Sequence, residues 1–232
     1  MALRPADIAR KLNISTSSLR HYEEWGLIPP VERSAKGYRV YTEFHVAFFE
    51  CIRAMADGFG LQLTAEVLKN IHTNRVNFAF WLVNEAQSSL HNEKIISEKT
   101  LKSLEEPLIA QEGPLTISEI SRETGIPTTT IRYWEKVGLL TIPRDNENKY
   151  RILNQNHIRQ IRVIHTLKSS PYVYTYSLNG IKEIIRELKS DDFDKIRKIS
   201  TDYQIHLDRM NQLQMKGVRY LYQLCEKLEL IP

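Results

Sequence analysis

Apolar residues follow two kinds of pattern along this chain. In four short stretches they recur three or four positions apart and then meet a turn signal, whereas in two long stretches the stripe continues for many turns. Ile8 and Leu12, four apart, predict a short helix with a turn at Asn13-Ile14. Ser15 predicts the N-cap of a second short helix, with Leu19 and Tyr22 on its buried side and Arg20 and His21 facing outward. Gly26-Leu27-Ile28-Pro29-Pro30 ends that helix and opens an extended arm, because two prolines bar both helix and central strand. Residues 31–33 then turn at Ser34-Ala35-Lys36-Gly37 into residues 38–41, a small hairpin.

The same series returns 112 residues later. Residues 116–124 form the first short helix, Gly125 the turn, and Pro127 the opening of a second helix in which Ile131 and Trp134 share the inner face. Thr129, Arg132, Tyr133 and Lys136 point elsewhere, and Gly138 supplies the left-handed stop. A second hairpin runs from 142–144 through a tip at Asp145-Asn146-Glu147-Asn148 into 149–153. The offset holds without a gap from Leu3/Leu115 to Ala54/Thr166, with identities that include Ile8/Ile120, Arg20/Arg132, Glu23/Glu135, Gly26/Gly138, Tyr38/Tyr150, Arg39/Arg151 and His45/His157. A fixed-offset repeat of this density marks a duplicated unit. Two short helices joined by a turn, followed by a hairpin, predict a winged helix-turn-helix in each copy.

Each hairpin leads into a capped helix, from 42 to about 57 and from 154 to about 168, which Gly58-Phe59-Gly60 and Ser169-Ser170-Pro171 are expected to break. A further helix follows, beginning at Thr64 or Ser177 and lined by Val67, Leu68 and Ile71, or by Leu178, Ile181, Ile184 and Ile185. Between the copies, residues 77–104 carry an apolar stripe at Phe78, Leu82, Leu90, Ile95, Leu101 and Leu104. The tail carries a more regular one at Ile196, Ile199, Tyr203, Met210, Leu213, Leu221, Leu224 and Leu228. Each long helix needs another helix to bury its stripe. The predicted fold is mainly α, with two winged helix-turn-helix domains, small β-hairpin wings and long coiled-coil-type helices. The expected divisions are 1–75, a linking helix 76–112, 113–189 and a C-terminal helix 190–232.

Charge adds a modest hint. The net +4 is mildly basic, but the excess sits in the repeats: residues 3–54 hold eight Lys and Arg against six acids, and 115–166 eight against five. Cys51 and Cys225 have no CxxC or Cys/His spacing for a metal, and both lie in apolar surroundings that predict buried thiols. This cysteine usage fits a reducing cytoplasm. The longest apolar run, 78–83, is far short of a membrane span, and the first residues have no signal-peptide core, so a cytoplasmic location without a membrane partner is expected. No nucleophile with a base, metal cluster or phosphate loop occurs at usable spacing, which argues against an enzyme and gives no reason to expect a cofactor.

The stretch Thr128-Thr129-Thr130-Ile131-Arg132-Tyr133-Trp134-Glu135, followed by Gly138-Leu139, resembles the recognition-helix pattern of the MerR family of bacterial transcription regulators. Arg20 to Leu27 resembles it too, with His21 at a usual aromatic position, and Tyr38-Arg39 and Tyr150-Arg151 match the wing signature. The resemblance implies DNA contacts from Thr16, Ser17, Ser18, Arg20 and His21, and from Thr128, Thr129, Thr130, Arg132 and Tyr133. Arg33, Lys36 and Arg39, with Arg144, Lys149 and Arg151, would be the wing cations. Tyr38 and Tyr150 either touch the DNA backbone or brace the wing. Lys36 beside one tip, and Asp145 and Glu147 at the other, lead to the expectation that the first wing holds DNA more tightly. Trp134 and Tyr22 are expected in the core, and His45 and His157 are expected to be structural.

Ordinary members of that family have one such unit and dimerise, whereas this chain carries two. A central helix of about thirty residues spans roughly 45 Å, and half-sites lie roughly 34 Å apart, so an intramolecular pseudo-dimer is the expected assembly, with a homodimer as the alternative. Metal-sensing members need cysteine pairs near the end of the long helix, and only Cys225 lies there. Drug-sensing members add an effector domain, and little sequence follows the tail helix here. Tyr172, Tyr174 and Tyr176 fit packing better than a pocket. The expected function is sequence-specific transcription regulation with distortion of promoter DNA, the partners being double-stranded DNA and RNA polymerase at a promoter. The rival function is an architectural or recombination accessory role.

Overall fold

The computed structural model describes residues 3–105, 113–169, 183 and 194–232. It is mainly helical and divides into two compact units: Met1–Leu90 with Asp208–Pro232, and His91–Leu207. The predicted break at Ser170-Pro171, the tyrosines 172, 174 and 176, and the helix expected from Ser177 lie outside the described residues.

The first unit opens with α1 (Pro5–Leu12) and α2 (Thr16–Glu24). Asn13 closes α1 in the left-handed region, at φ 52°, which an asparagine tolerates better than most residues. Ser15 caps α2 as predicted, its hydroxyl accepting the Ser18 N–H at 3.0 Å. The hairpin is short: β1 (Glu32–Arg33) pairs antiparallel with β2 (Arg39–Val40), and Gly37 supplies the positive φ of its turn. Leu3 bridges to Tyr41, so the chain start lies against the strand that leaves the hairpin.

The long helix α3 (Glu43–His72) carries the expected break, at the last of the three residues. Gly58 and Phe59 remain helical, and the departure is confined to Gly60 (φ 76°, ψ 158°), whose carbonyl accepts the Thr64 hydroxyl at 2.7 Å. Gly58 serves as a contact rather than a stop. The first core gathers Leu19, Leu27, Tyr41, Phe48, Phe49, Ile52, Met55 and Leu68 with residues from both long helices, α4 (Val76–Glu105) and α8 (Asp194–Lys227). From α4 come Val76, Ala79 and Val83, and from α8 come Leu221, Leu224 and Cys225. Phe78, expected in the stripe, is exposed and lies under Arg75, whose guanidinium carbon is 4.6 Å from the ring centroid. Val76, Ala79 and Val83 take the inward face at steps of three and four, and Phe78 falls about 100° away from Ala79.

The second unit repeats the plan with α5 (Ile117–Thr124) and α6 (Thr128–Lys136), then α7 (Gln155–Ser169). Its core holds Ile120, Ile126, Ile131, Trp134, Leu139, Leu140, Leu153, Ile158, Ile161 and Ile164, with Leu104 from α4. The hairpin is reduced to one bridge between Arg144 and Arg151. Lys149 takes a left-handed φ of 61°, and the Asp145 carboxylate accepts the Glu147 and Asn148 N–H groups, so turn geometry replaces the start of the expected strand. The α4 stripe here includes polar positions. Ser97 and Thr100 are buried, Thr100 receives a hydrogen bond from Thr166 at 3.2 Å, and Glu93 accepts the Tyr203 hydroxyl at 3.1 Å. A polar inner face explains why this helix's apolar spacing looks imperfect in sequence.

Both repeated histidines are structural. His45 Nδ1 accepts the Thr42 N–H, and His157 Nδ1 accepts the Asn154 N–H, each at 3.1 Å, which caps α3 and α7. Burial pushes His157 below the ordinary imidazole value, opposed by a hydrogen bond to the Thr141 backbone. Burial lowers His165 as well, opposed by Glu93. An imidazole held low in the folded state contributes fully above its unfolded value of about 6.5. The contribution is lost as pH falls below that value, because the unfolded chain then binds protons the folded one resists. Thermal unfolding at pH 7.5 and 5.5 should therefore show a drop that is smaller in His157→Gln by about 2 °C. Equal drops would remove His157 from the account.

Candidate nucleic-acid interface

In the first unit the N-terminal turn of α2 carries three hydroxyls on one cap. Ser15 Oγ lies 2.6 Å from Ser17 Oγ and 2.8 Å from Ser18 Oγ, and Thr16 is exposed beside them. Leu19 and Tyr22 are buried as predicted, which turns Arg20 and His21 to solvent. His21 stacks on Trp25 with centroids 5.7 Å apart and planes 16° apart. Trp25, 48% exposed, was not singled out in the sequence, because its repeat partner is Val137 and the comparison of copies passes over it. A cleft of about 670 Å³ lies between this helix and the wing, lined by Arg4, Thr16, Arg20, Arg33, Tyr38 and Arg39 among others. Arg4 was also missed. Its partner in the second copy is Thr116, which instead caps α5 and helps hold the Glu119 carboxyl below its ordinary value.

In the second unit Pro127 opens α6 without a side-chain cap. Thr129 is exposed, with Thr128 and Thr130 half-buried; Arg132 and Tyr133 face solvent while Ile131 and Trp134 are buried. Tyr38 and Tyr150 are 71% and 76% exposed, so neither ring is packed against its wing. Lys36 is exposed at the first tip, and Lys149 donates to the Asn146 carbonyl at 2.7 Å in the second. Asp145 is held below its ordinary carboxylate value by the N–H groups of Asn148 and Glu147, so the second tip carries a firm negative charge.

The wing arginines are not free. Arg33 donates through Nη2 to Glu23 Oε1 at 3.3 Å, and Arg39 donates through Nε to Glu23 Oε2. Arg144 donates through Nη2 to Glu135 Oε1 at 3.2 Å, and Arg151 donates through Nε and Nη2 to Glu135 Oε2 at 3.0 and 2.8 Å. Each wing is thus tied to the end of the helix before it. The glutamates were visible as a repeat identity, but their partners lie 9 to 16 residues onward and no local spacing announces them.

Among the described residues no group of three or more His, Cys, Asp or Glu could hold a metal ion, and no helix is long and apolar enough to cross a membrane. Cys51 and Cys225 are buried, and burial pushes the Cys225 thiol up to about 11.

Comparison with known proteins meets the same two places. A family model described as MerR family regulatory protein matches residues 4–41, and one described as MerR HTH family regulatory protein matches 115–188. The HTH-type transcriptional regulator CueR of Salmonella typhi is 32% identical over 106 residues, which cover 45% of this chain and 75% of that protein. The mercuric resistance operon regulatory protein of Bacillus cereus is 29% identical over 113 residues, 46% of this chain and 85% of that protein. The HTH-type transcriptional regulator AdhR of Bacillus subtilis (strain 168) is 38% identical over 60 residues, 26% of this chain and 42% of that protein. No solved structure gives a significant match. The fold, the exposed arginines of α2 and α6 and these relatives define a DNA-binding transcription regulator. The chain belongs to the MerR family of regulatory proteins.

Proposed function

We propose that one chain reads DNA as a dimer reads it in an ordinary regulator of this kind, with two winged helix-turn-helix units taking two half-sites and straining the promoter between them. The observation that carries this is the composition of the units: residues 208–232 of the tail are built into the first unit, and residues 91–105 of α4 into the second. Each unit thereby contains a stretch of each long helix. In the first, Gln87 donates to the Met215 sulfur at 3.6 Å and Gln214 donates to the Gly58 carbonyl at 3.2 Å; in the second, Tyr203 donates to Glu93. Leu104, Tyr203, Leu221 and Leu224 of these stripes are buried within the chain, which supports an assembly made from one copy. Contacts from α2 and its wing, and from α6 and its wing, supply base edges and phosphates respectively, and the strain on the DNA would be read as sequence-dependent cost.

The two readers are unlike at Ser17/Thr129, Ser18/Thr130, His21/Tyr133 and Trp25/Val137, so the preferred site is asymmetric. Selection from a random duplex library, with the mass of the protein measured alone and on the recovered site, should yield a two-part, non-palindromic site held by one chain. A palindrome held by two chains would sink the proposal. Transcription from a promoter carrying the site, with RNA polymerase added, then gives the sign of regulation.

A further inference from the structure

The shared arrangement at the two wings has a use beyond holding them in place. Each glutamate gives one oxygen to each of two arginines, and each is largely covered, with 17% and 19% of the side chain exposed. A free guanidinium on a protruding wing would grip any phosphate within reach, because it keeps its charge and offers five donors. Such contacts add affinity for every sequence and information about none.

We infer that Glu23 and Glu135 are positioning residues that set sequence discrimination by withholding wing charge from DNA until the reading helix is seated. The inference rests on the placement of α2 and α6 as reading helices. At a foreign sequence the arginines stay on their glutamate, and two cations present one net charge. At the proper site the helix is inserted, the wing it carries is brought to the backbone, and phosphate oxygens complete the donors the carboxylate leaves open. The copies differ in degree. Arg39 commits only Nε to Glu23, whereas Arg151 commits Nε and Nη2 to Glu135, so the second wing withholds more. Arg20 and Arg132 lie outside the clamps and make contact in either mode.

The test uses the full chain on two duplexes, the selected site and a scrambled version of equal composition, across a series of salt concentrations. Glutamine keeps the shape of glutamate and removes its charge. Glu135→Gln should bind the scrambled duplex about tenfold tighter, and its log-affinity slope against log salt should steepen by about one, as one more phosphate is neutralised. Preference for the selected site should fall by a similar factor, and Glu23→Gln should move the same way by less. Adding Arg144→Gln to Glu135→Gln should return the slope to about that of the parent, since one net charge then remains on the wing. Should Glu135→Gln fold poorly, Glu23→Gln carries the test on the other copy: it should steepen the slope on the scrambled duplex, whereas Arg132→Gln flattens it. Parallel weakening on both duplexes with an unchanged salt slope would overturn the inference while leaving the reading helices in place. A parent that does not distinguish the two duplexes would overturn both.

Discussion

Arg20→Ala combined with Arg132→Ala is expected to abolish selective DNA binding while the protein remains folded. Both side chains are exposed on the outer faces of α2 and α6, opposite Leu19 and Ile131, whose exposure is 0%. Nothing in either core depends on them. A well-placed arginine on a base edge contributes about 1–3 kcal/mol, so losing one from each reader should weaken the selected site by at least about thirtyfold. Titration of the selected duplex measures the loss, and the thermal midpoint, unchanged within about a degree, shows that the fold is intact. Each single variant should be intermediate and should relax preference in its own half of the site. If the double variant bound as tightly as the parent, α2 and α6 would not be the reading helices, and the DNA would have to be met elsewhere on the molecule.

The largest expected loss of stability comes from a single methyl group. A Cβ added at Gly58 would stand 2.6 Å from the Gln214 backbone nitrogen and 2.7 Å from the Leu213 carbonyl carbon, closer than real Cβ contacts allow. Helix propensity alone would make Gly58→Ala stabilising by about 1 kcal/mol. The contact reverses that sign, because the obstacle is the backbone of α8 and no rotamer change can relieve it. A Cβ added at Gly217 on α8 would likewise stand 3.1 Å from Met55 Cα on α3, so the helices meet through small residues on both sides. Overpacking of this kind costs about 1–3 kcal/mol or more. Gly58→Ala should therefore lower the urea midpoint by the equivalent of about 3 kcal/mol. An unchanged or raised midpoint would mean that α3 and α8 do not pack as described.

The sequence read as a repeat discloses most of the local structure, because each short helix carries its own start and stop. Ser15 caps where expected, Tyr22 and Trp134 turn inward, and His45 and His157 sit at matched caps. Features that depend on contact between distant segments were not legible. Gly58 looks like a helix breaker because glycine in isolation is one; only the approach of α8 gives it another use. Phe78 looks like core because it is large and apolar, yet Ala79 holds the inward position. Glu93, Ser97 and Thr100 conceal the inner face of α4, since periodicity of apolar residues cannot see a polar seam. At the candidate interface, the outward placement of Arg20 and Arg132 followed from helix phase and the hydroxyl clusters from the family resemblance, whereas Arg4 and Trp25 escaped because each occurs in one copy alone. The glutamate clamps escaped for a different reason: their partners arrive through a hairpin that folds back.

That the first unit takes its last pieces from residues 208–232 has a consequence for how the molecule is made. Translation delivers α2 early, but the helix that packs on Gly58 emerges only after His91–Leu207 has been synthesised, a delay of roughly ten seconds at bacterial rates. The reader made first is thus the one finished last. A nascent chain, or one cut short by premature termination, carries α2 on a core that still lacks Leu221, Leu224 and Cys225.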